Sequence, residues 1–157
     1  MKQLSIAVAL LLAACASSST TTQSGSVMPP GHGAISIEIV PNPVIATKVS
    51  DDKYDFPFEV VVHESGGHTV NVNRVTANVT AFGAIQVANE SYDAARIRAL
   101  GYATSIPANG TLRYKFSPRR SVPDDRLFGT VAAEITVDAT DDSGQATTAR
   151  TTVTVRR

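Results

Sequence analysis

One pattern limits what this chain can become more than any other. Apolar residues recur at every second position, and most of them are β-branched or aromatic. Tyr54, Phe56, Phe58, Val60 and Val62 alternate with Asp55, Glu59 and His63. Val131, Ala133, Ile135, Val137 and Ala139 do the same, as do Ala149, Thr151, Val153 and Val155. A period of two puts alternate side chains on opposite faces of a strand, so each run predicts a half-buried β-strand. An α-helix would need its apolar partners three and four residues apart.

Shorter runs extend the pattern. Ile35, Ile37 and Ile39 predict a strand stopped by Pro41-Asn42-Pro43, and a connector follows from Val44 to Lys53. Pro57 lacks an N–H for the ladder, which predicts an edge or a bulge in the first half of the 54–63 strand. Glu64-Ser65-Gly66-Gly67 reads as a hairpin turn. Val70 and Val72 face one way, whereas Val75, Ala77 and Val79 have the opposite parity. A β-bulge or break near Asn73-Arg74 accounts for that flip. Ile85 and Val87 allow a short strand after Gly83. Leu112, Tyr114 and Phe116 predict another after the Asn109-Gly110 turn. Ser117 to Arg126 reads as a polar loop, and Asp141-Asp142-Ser143-Gly144 as a hairpin turn. The one helical candidate is 91–101, with Ser91 as cap, Ala94, Ile97 and Leu100 on one face, and Gly101 closing it.

These runs predict an all-β domain over residues 34–157: a single antiparallel β-sandwich of about seven strands with one short helix. The pattern resembles the immunoglobulin-like and fibronectin-type sandwiches of bacterial envelope proteins. The paired cysteines and central Trp of antibody domains are absent, since the chain has one Cys and no Trp. Such folds carry many functions, so the resemblance implies no activity.

The chain begins Met1-Lys2-Gln3, continues almost wholly apolar from Leu4 to Leu12, and then reads Ala13-Ala14-Cys15. A charged start, a short apolar run and a small-residue cleavage site form a secretory signal peptide. The run is too short to span a bilayer, which needs ~20 apolar residues. Leu12-Ala13-Ala14-Cys15 resembles the lipobox of bacterial lipoproteins. That resemblance implies removal of residues 1–14, lipidation of Cys15 and acylation of the new N-terminus, palmitate included. Ala16 in place of Asp favours the outer membrane if the source is Gram-negative. Residues 15–33, rich in Ser, Thr, Pro and Gly, are expected to be a flexible tether.

Cleavage leaves 143 residues with thirteen basic side chains against fourteen acidic. That balance lacks the basic footprint of a nucleic-acid binder. His63-Glu64-Ser65-Gly66-Gly67-His68 superficially suggests zinc. Its histidines are five apart rather than four, and the double Gly makes a turn, so it reads as a hairpin with two solvated histidines. Asp138, Asp141 and Asp142 lack the spacing of a calcium loop and read as turn chemistry. Arg119, Arg120 and Arg126 share a loop with Asp124 and Asp125, and read as solvated and partly compensated charge. No nucleophile elbow, phosphate loop or dinucleotide fingerprint is present. The expectation is therefore a lipid-anchored envelope protein without cofactor or catalytic activity. It would present an interaction or structural module to a protein partner in the envelope. An inhibitor of a secreted enzyme and a carbohydrate-binding module stand as alternatives.

Overall fold

The structure is a computed structural model and describes residues 24–25 and 31–157. Cys15, the signal peptide and most of the expected tether lie outside the described residues. In chain order the strands are β1 (Ser24–Gly25), β2 (Ile35–Val40), β3 (Val44–Ile45), β4 (Thr47–Ser50), β5 (Lys53–Asp55), β6 (Phe58–Glu64), β7 (Val70–Ala81) and β8 (Ile85–Asp93). Helix α1 (Ala94–Ala99) follows, then β9 (Ser105–Ile106), β10 (Thr111–Phe116) and β11 (Arg119–Ser121). A 3-10 helix (Asp125–Thr130), β12 (Val131–Asp141) and β13 (Ala146–Arg156) complete the fold.

The all-β expectation holds, but a single seven-strand immunoglobulin-like sandwich does not. Among the described residues there are three sheets and two short helices. The largest sheet has seven strands, ordered β1-β13-β12-β7-β8, with β3 beside β13 and β9 beside β7. The second sheet is β10-β6-β2 and the third is β11-β5-β4. One core cluster joins the inner faces of the first two: Ile37, Val60, Val62 and Tyr114 from one, and Val72, Val75, Ile135 and Val137 from the other. A satellite cluster of Ala46, Tyr54, Phe128 and Val155 lies under the third. Burial of such side chains contributes ~1.5–3 kcal/mol each and is the main force holding the layers together.

The strand expected over 54–63 is two strands in two sheets. Tyr54 lies in β5 and Val60 in β6, with exposed Pro57 between them. Proline's missing donor ends one ladder, and the chain changes sheets there rather than bulging. Glu64 to Gly67 likewise carries the chain between layers and closes no hairpin, because β6 pairs with β2 and β10 only. The parity flip in β7 has the expected cause. Val72 lies opposite Ala139 and Arg74 opposite Asp138, leaving Asn73 without a partner on β12. Beyond that bulge Val75, Ala77, Val79 and Ala81 face inward. The helix is shorter than 91–101. Ser91 belongs to β8, and Asp93 is the cap, its Oδ1 accepting from the Arg96 N–H at 2.7 Å. Only Ile97 of its apolar face is buried, while Leu100 is exposed.

Two buried carboxylates fasten the residues just before β2. Glu64 accepts from the backbone N–H groups of Gly66 (2.6 Å), Asn109 (2.7 Å), Gly67 (3.1 Å) and Ala34 (3.3 Å). Burial works against its charge, but the N–H groups of Asn109, Gly66 and Ala34 outweigh it and hold the carboxyl below its ordinary range. Asp141 is also held well below its ordinary range, by the Ser143 hydroxyl (2.7 Å), the Gly33 N–H (2.8 Å) and the Gln145 N–H (2.8 Å). The approach is close. A Cβ on Gly33 would lie 2.6 Å from Val70 Cγ2, and one on Gly66 2.2 Å from the His32 carbonyl oxygen. Within the expected tether, then, Gly33 is fastened to the domain, and Ser24–Gly25 pairs with Ala149–Arg150 of β13. A composition poor in apolar residues gave no sign of this, because both attachments use the backbone.

Candidate ligand pocket

The two small sheets cover the large one incompletely. Between the end of β6–β10 and the third sheet lies a pocket of about 400 Å³. Its floor is the inner face of the large sheet beyond the Asn73 bulge: Ala77, Val79 and Ala81 of β7, Ala88 of β8, and Ala133 and Ile135 of β12. Four of these six are alanines. Small side chains at inward positions leave the space that larger ones would fill. Aromatic side chains form the opposite wall. Phe58 and Phe116 pack with ring centroids 5.5 Å apart and Phe56 lies 6.2 Å from Phe128, while Tyr92 of β8 reaches across from the large sheet to 4.8 Å from Phe116. Val122, Leu127 and Phe128 close the end under the 3-10 helix. Ligand sites typically enclose ~300–1,000 Å³ with mostly apolar walls, which this pocket matches.

Charge enters the lining at two residues, Glu90 of β8 and Arg120 of β11, and they form an ion pair with each other. Ser121 and Tyr92 each add a hydroxyl. The neighbouring charges are also satisfied. Arg119 grips Asp55 with two hydrogen bonds of 2.7 and 2.9 Å, which lower the Asp55 carboxyl below its usual range. Arg126 does the same for Asp124. Asp125 accepts from the Tyr54 hydroxyl at 2.5 Å and pairs with Arg157. The loop is exposed charge that is compensated, as expected: Arg119 and Asp125 reach Asp55 and Tyr54 of the third sheet, Arg120 reaches Glu90 of the large one, and Arg126 pairs with Asp124 within the loop.

The other residues singled out by sequence are dispersed. His63 Nδ1 lies 2.9 Å from Thr111 Oγ1, and His68 Nδ1 lies 3.0 Å from Asp142 Oδ1. They face different partners. Asp138 accepts from the Thr148 hydroxyl at 2.9 Å, while Asp141 caps its own turn. Among the described residues no group of three or more His, Cys, Asp or Glu side chains is placed to hold a metal ion. Burial pushes the Tyr114 phenol up to about 12, and its hydroxyl donates to the Ala103 carbonyl at 3.1 Å. It serves the core rather than an exposed site. Sequence reading missed the pocket altogether. The signal available was alanine at inward positions of adjacent strands, where valine or isoleucine would complete a core.

No protein family and no curated protein matches the sequence. Solved structures do. The chain is similar to the protein designated ApaA from Bordetella pertussis, with a TM-score of 0.58 at 13% identity, over 82% of this chain and 99% of that one. It is also similar to Northeast Structural Genomics Consortium target SoR45, with a TM-score of 0.53 at 14% identity, over 76% of this chain and 86% of that one. At these identities the likeness is one of fold alone.

Proposed function

We propose that this chain is a lipid-anchored protein of the bacterial cell envelope, held through Cys15. Its domain acts there as a non-catalytic binding module that takes a slender apolar ligand, such as an acyl chain, into the inter-sheet pocket. The observation that carries the reading is the pocket's lining, apolar except for Ser121, the Tyr92 hydroxyl and one ion pair whose charges neutralise each other. A carbohydrate would need more polar partners than Ser121, Tyr92 and the already paired Glu90 and Arg120 provide. An acyl chain needs only apolar walls. Each methylene withdrawn from water contributes ~0.8 kcal/mol, so a chain burying about ten gains roughly 8 kcal/mol before the cost of association. A cost of about 4 kcal/mol, the low end for association, leaves roughly 4 kcal/mol and an expected Kd on the order of millimolar. The anchor is supported by the lipobox resemblance at Leu12-Ala13-Ala14-Cys15.

Titrating the mature protein with a fluorescent long-chain fatty acid tests the pocket. Saturable binding to one site is expected. Ala133→Phe, which places a ring on the pocket floor, should weaken it about tenfold or more, the loss of roughly two buried methylenes. Absence of saturable binding, or equal binding by the variant, overturns the pocket assignment. Fractionation tests the anchor separately. Cys15→Ser should leave the processed domain outside the membrane fraction, and its retention there would remove the lipobox reading.

A further inference from the structure

The turn between β7 and β8 carries an unusual residue at its apex. Phe82 sits in the left-handed region with φ 53°, followed by Gly83 at φ 77°. Glycine and asparagine adopt this conformation readily, whereas a bulky aromatic residue there is a genuine outlier. Phe82 is nonetheless 63% exposed, so the strain is not offset by burial within the domain. The apex is also held in place. The Phe82 N–H donates to the Thr130 carbonyl at 3.0 Å, and the Ala84 N–H to Ala81 at 3.3 Å. Two further apolar side chains flank it, Ile85 (60% exposed) and Val87 (55%). On the same end of the sheet Ile45, beside Arg156, is 43% exposed. A strained, fixed and exposed aromatic residue at an apex suggests a partner outside the chain.

The sheet's register says which partner. β1 runs antiparallel to β13, with Ser24 opposite Arg150 and Gly25 opposite Ala149. Followed backward from Gly25 to Ser24, the chain heads toward Arg156. Thr154 lies level with Ala132 and Thr80, so this is the end that carries Phe82. From Arg150 to Arg156 is six residues, about 20 Å of strand. From Ser24 back to Cys15 is nine residues, at most about 30 Å of chain. Nine residues are therefore enough to bring the anchor to the Phe82 end, the end toward which β1 points.

We infer that the β7–β8 apex inserts Phe82, with Ile85 beside it, into the surface of the bilayer to which Cys15 is tied. The inference rests on the anchor proposed above and is independent of the pocket's ligand. Aromatic side chains favour the headgroup region, where an apolar body can leave water without entering the hydrocarbon centre. One lipidated cysteine fixes the distance from the membrane. A second contact at the apex fixes orientation, and turns the pocket-bearing end of the domain toward the lipid.

The natural chain contains no Trp, so a single substitution supplies an unambiguous fluorescent reporter. Phe82→Trp, Ile85→Trp and Gln145→Trp are made in the full lipidated protein and reconstituted into phosphatidylethanolamine/phosphatidylglycerol vesicles with brominated acyl chains. Gln145 is exposed at the far end of the β12–β13 hairpin. Ile85→Trp repeats the reading without touching the strained turn. Brominated lipid should quench the reporters at 82 and 85 about twofold or more, with blue-shifted emission, and leave the one at 145 unaffected. Equal quenching at all three positions, or none at 82 and 85 in protein that floats with the vesicles, overturns the inference. Failure of the protein to float overturns the anchor and the apex contact together, so the two failures are distinguishable.

Discussion

Ala133→Leu separates a real pocket from a packed core by the sign of its effect. Ala133 is 8% exposed and lies on the floor between Val79 and Val153, its cross-strand partners. Leucine adds three carbons. At ~0.8 kcal/mol per buried carbon the full gain would be about 2.4 kcal/mol. Part of the new surface would still face the pocket's open side, so a gain of about 1–2 kcal/mol is expected. In a domain of this size that is a Tm rise of roughly 3–8 °C. In a close-packed core the same substitution would force neighbouring side chains off their rotamers and cost about 1–3 kcal/mol. Urea unfolding followed by circular dichroism distinguishes the two, provided the slope with denaturant is unchanged. A loss of 1 kcal/mol or more would mean that no usable space exists there, and the binding proposal would fall with it.

Acid should destabilise the fold through Glu64 and Asp141. Both carboxyls are held below their ordinary values of 4.5 and 3.8, so the unfolded chain binds their protons more readily than the folded one. Their stabilisation is present above those values and is lost as pH falls from about 5, and Asp141→Asn should flatten that decline in urea unfolding at successive pH values. Phe58→Ala should cost about 3 kcal/mol, because Phe58 is half-buried against Phe116, whereas Glu59→Ala should cost under about 1 kcal/mol by removing only its 2.9 Å contact with Arg113. Equal losses in denaturant titrations would refute the facing assigned to β6.

Regular alternation made β2, β6, β10, β12 and β13 legible, because each has one face in the core and one largely outside it. Even the Asn73 bulge was visible, since a bulge leaves a parity error in the apolar pattern. Sheet membership was not visible. The run from Tyr54 to Val62 has unbroken parity, yet Pro57 divides it between sheets, and nothing local distinguishes a divided strand from a continuous one. Val61 shows the same limit. It is 1% exposed although its cross-strand partners are Glu38 and Arg113. Long charged side chains can cover a neighbour with their stems, and alternation does not register that. Glu64 and Asp141 were read as turn residues, which Asp141 is. Their grip on Gly33 and Ala34 depends on chain segments 30 and 108 residues apart. A pocket is harder still to foresee, because it is made by what neighbouring side chains do not fill.

The Asn73 bulge has an evolutionary consequence. It reconciles the inward facing of Val72 with that of Val75, Ala77, Val79 and Ala81 in the distal half of β7. Deleting that one residue would let β7 and β12 pair without interruption, with Val72 still opposite Ala139, Arg74 opposite Asp138 and Val75 opposite Val137, so both halves of the strand would keep their facing. The oily floor is therefore insulated from loss of the bulge, because the unpaired residue absorbs the parity difference between the two halves and nothing else depends on it. Descendants of this fold that lack position 73 would be expected to keep the same lining, and changes in what they bind would come from substitutions at Ala77, Val79 and Ala81.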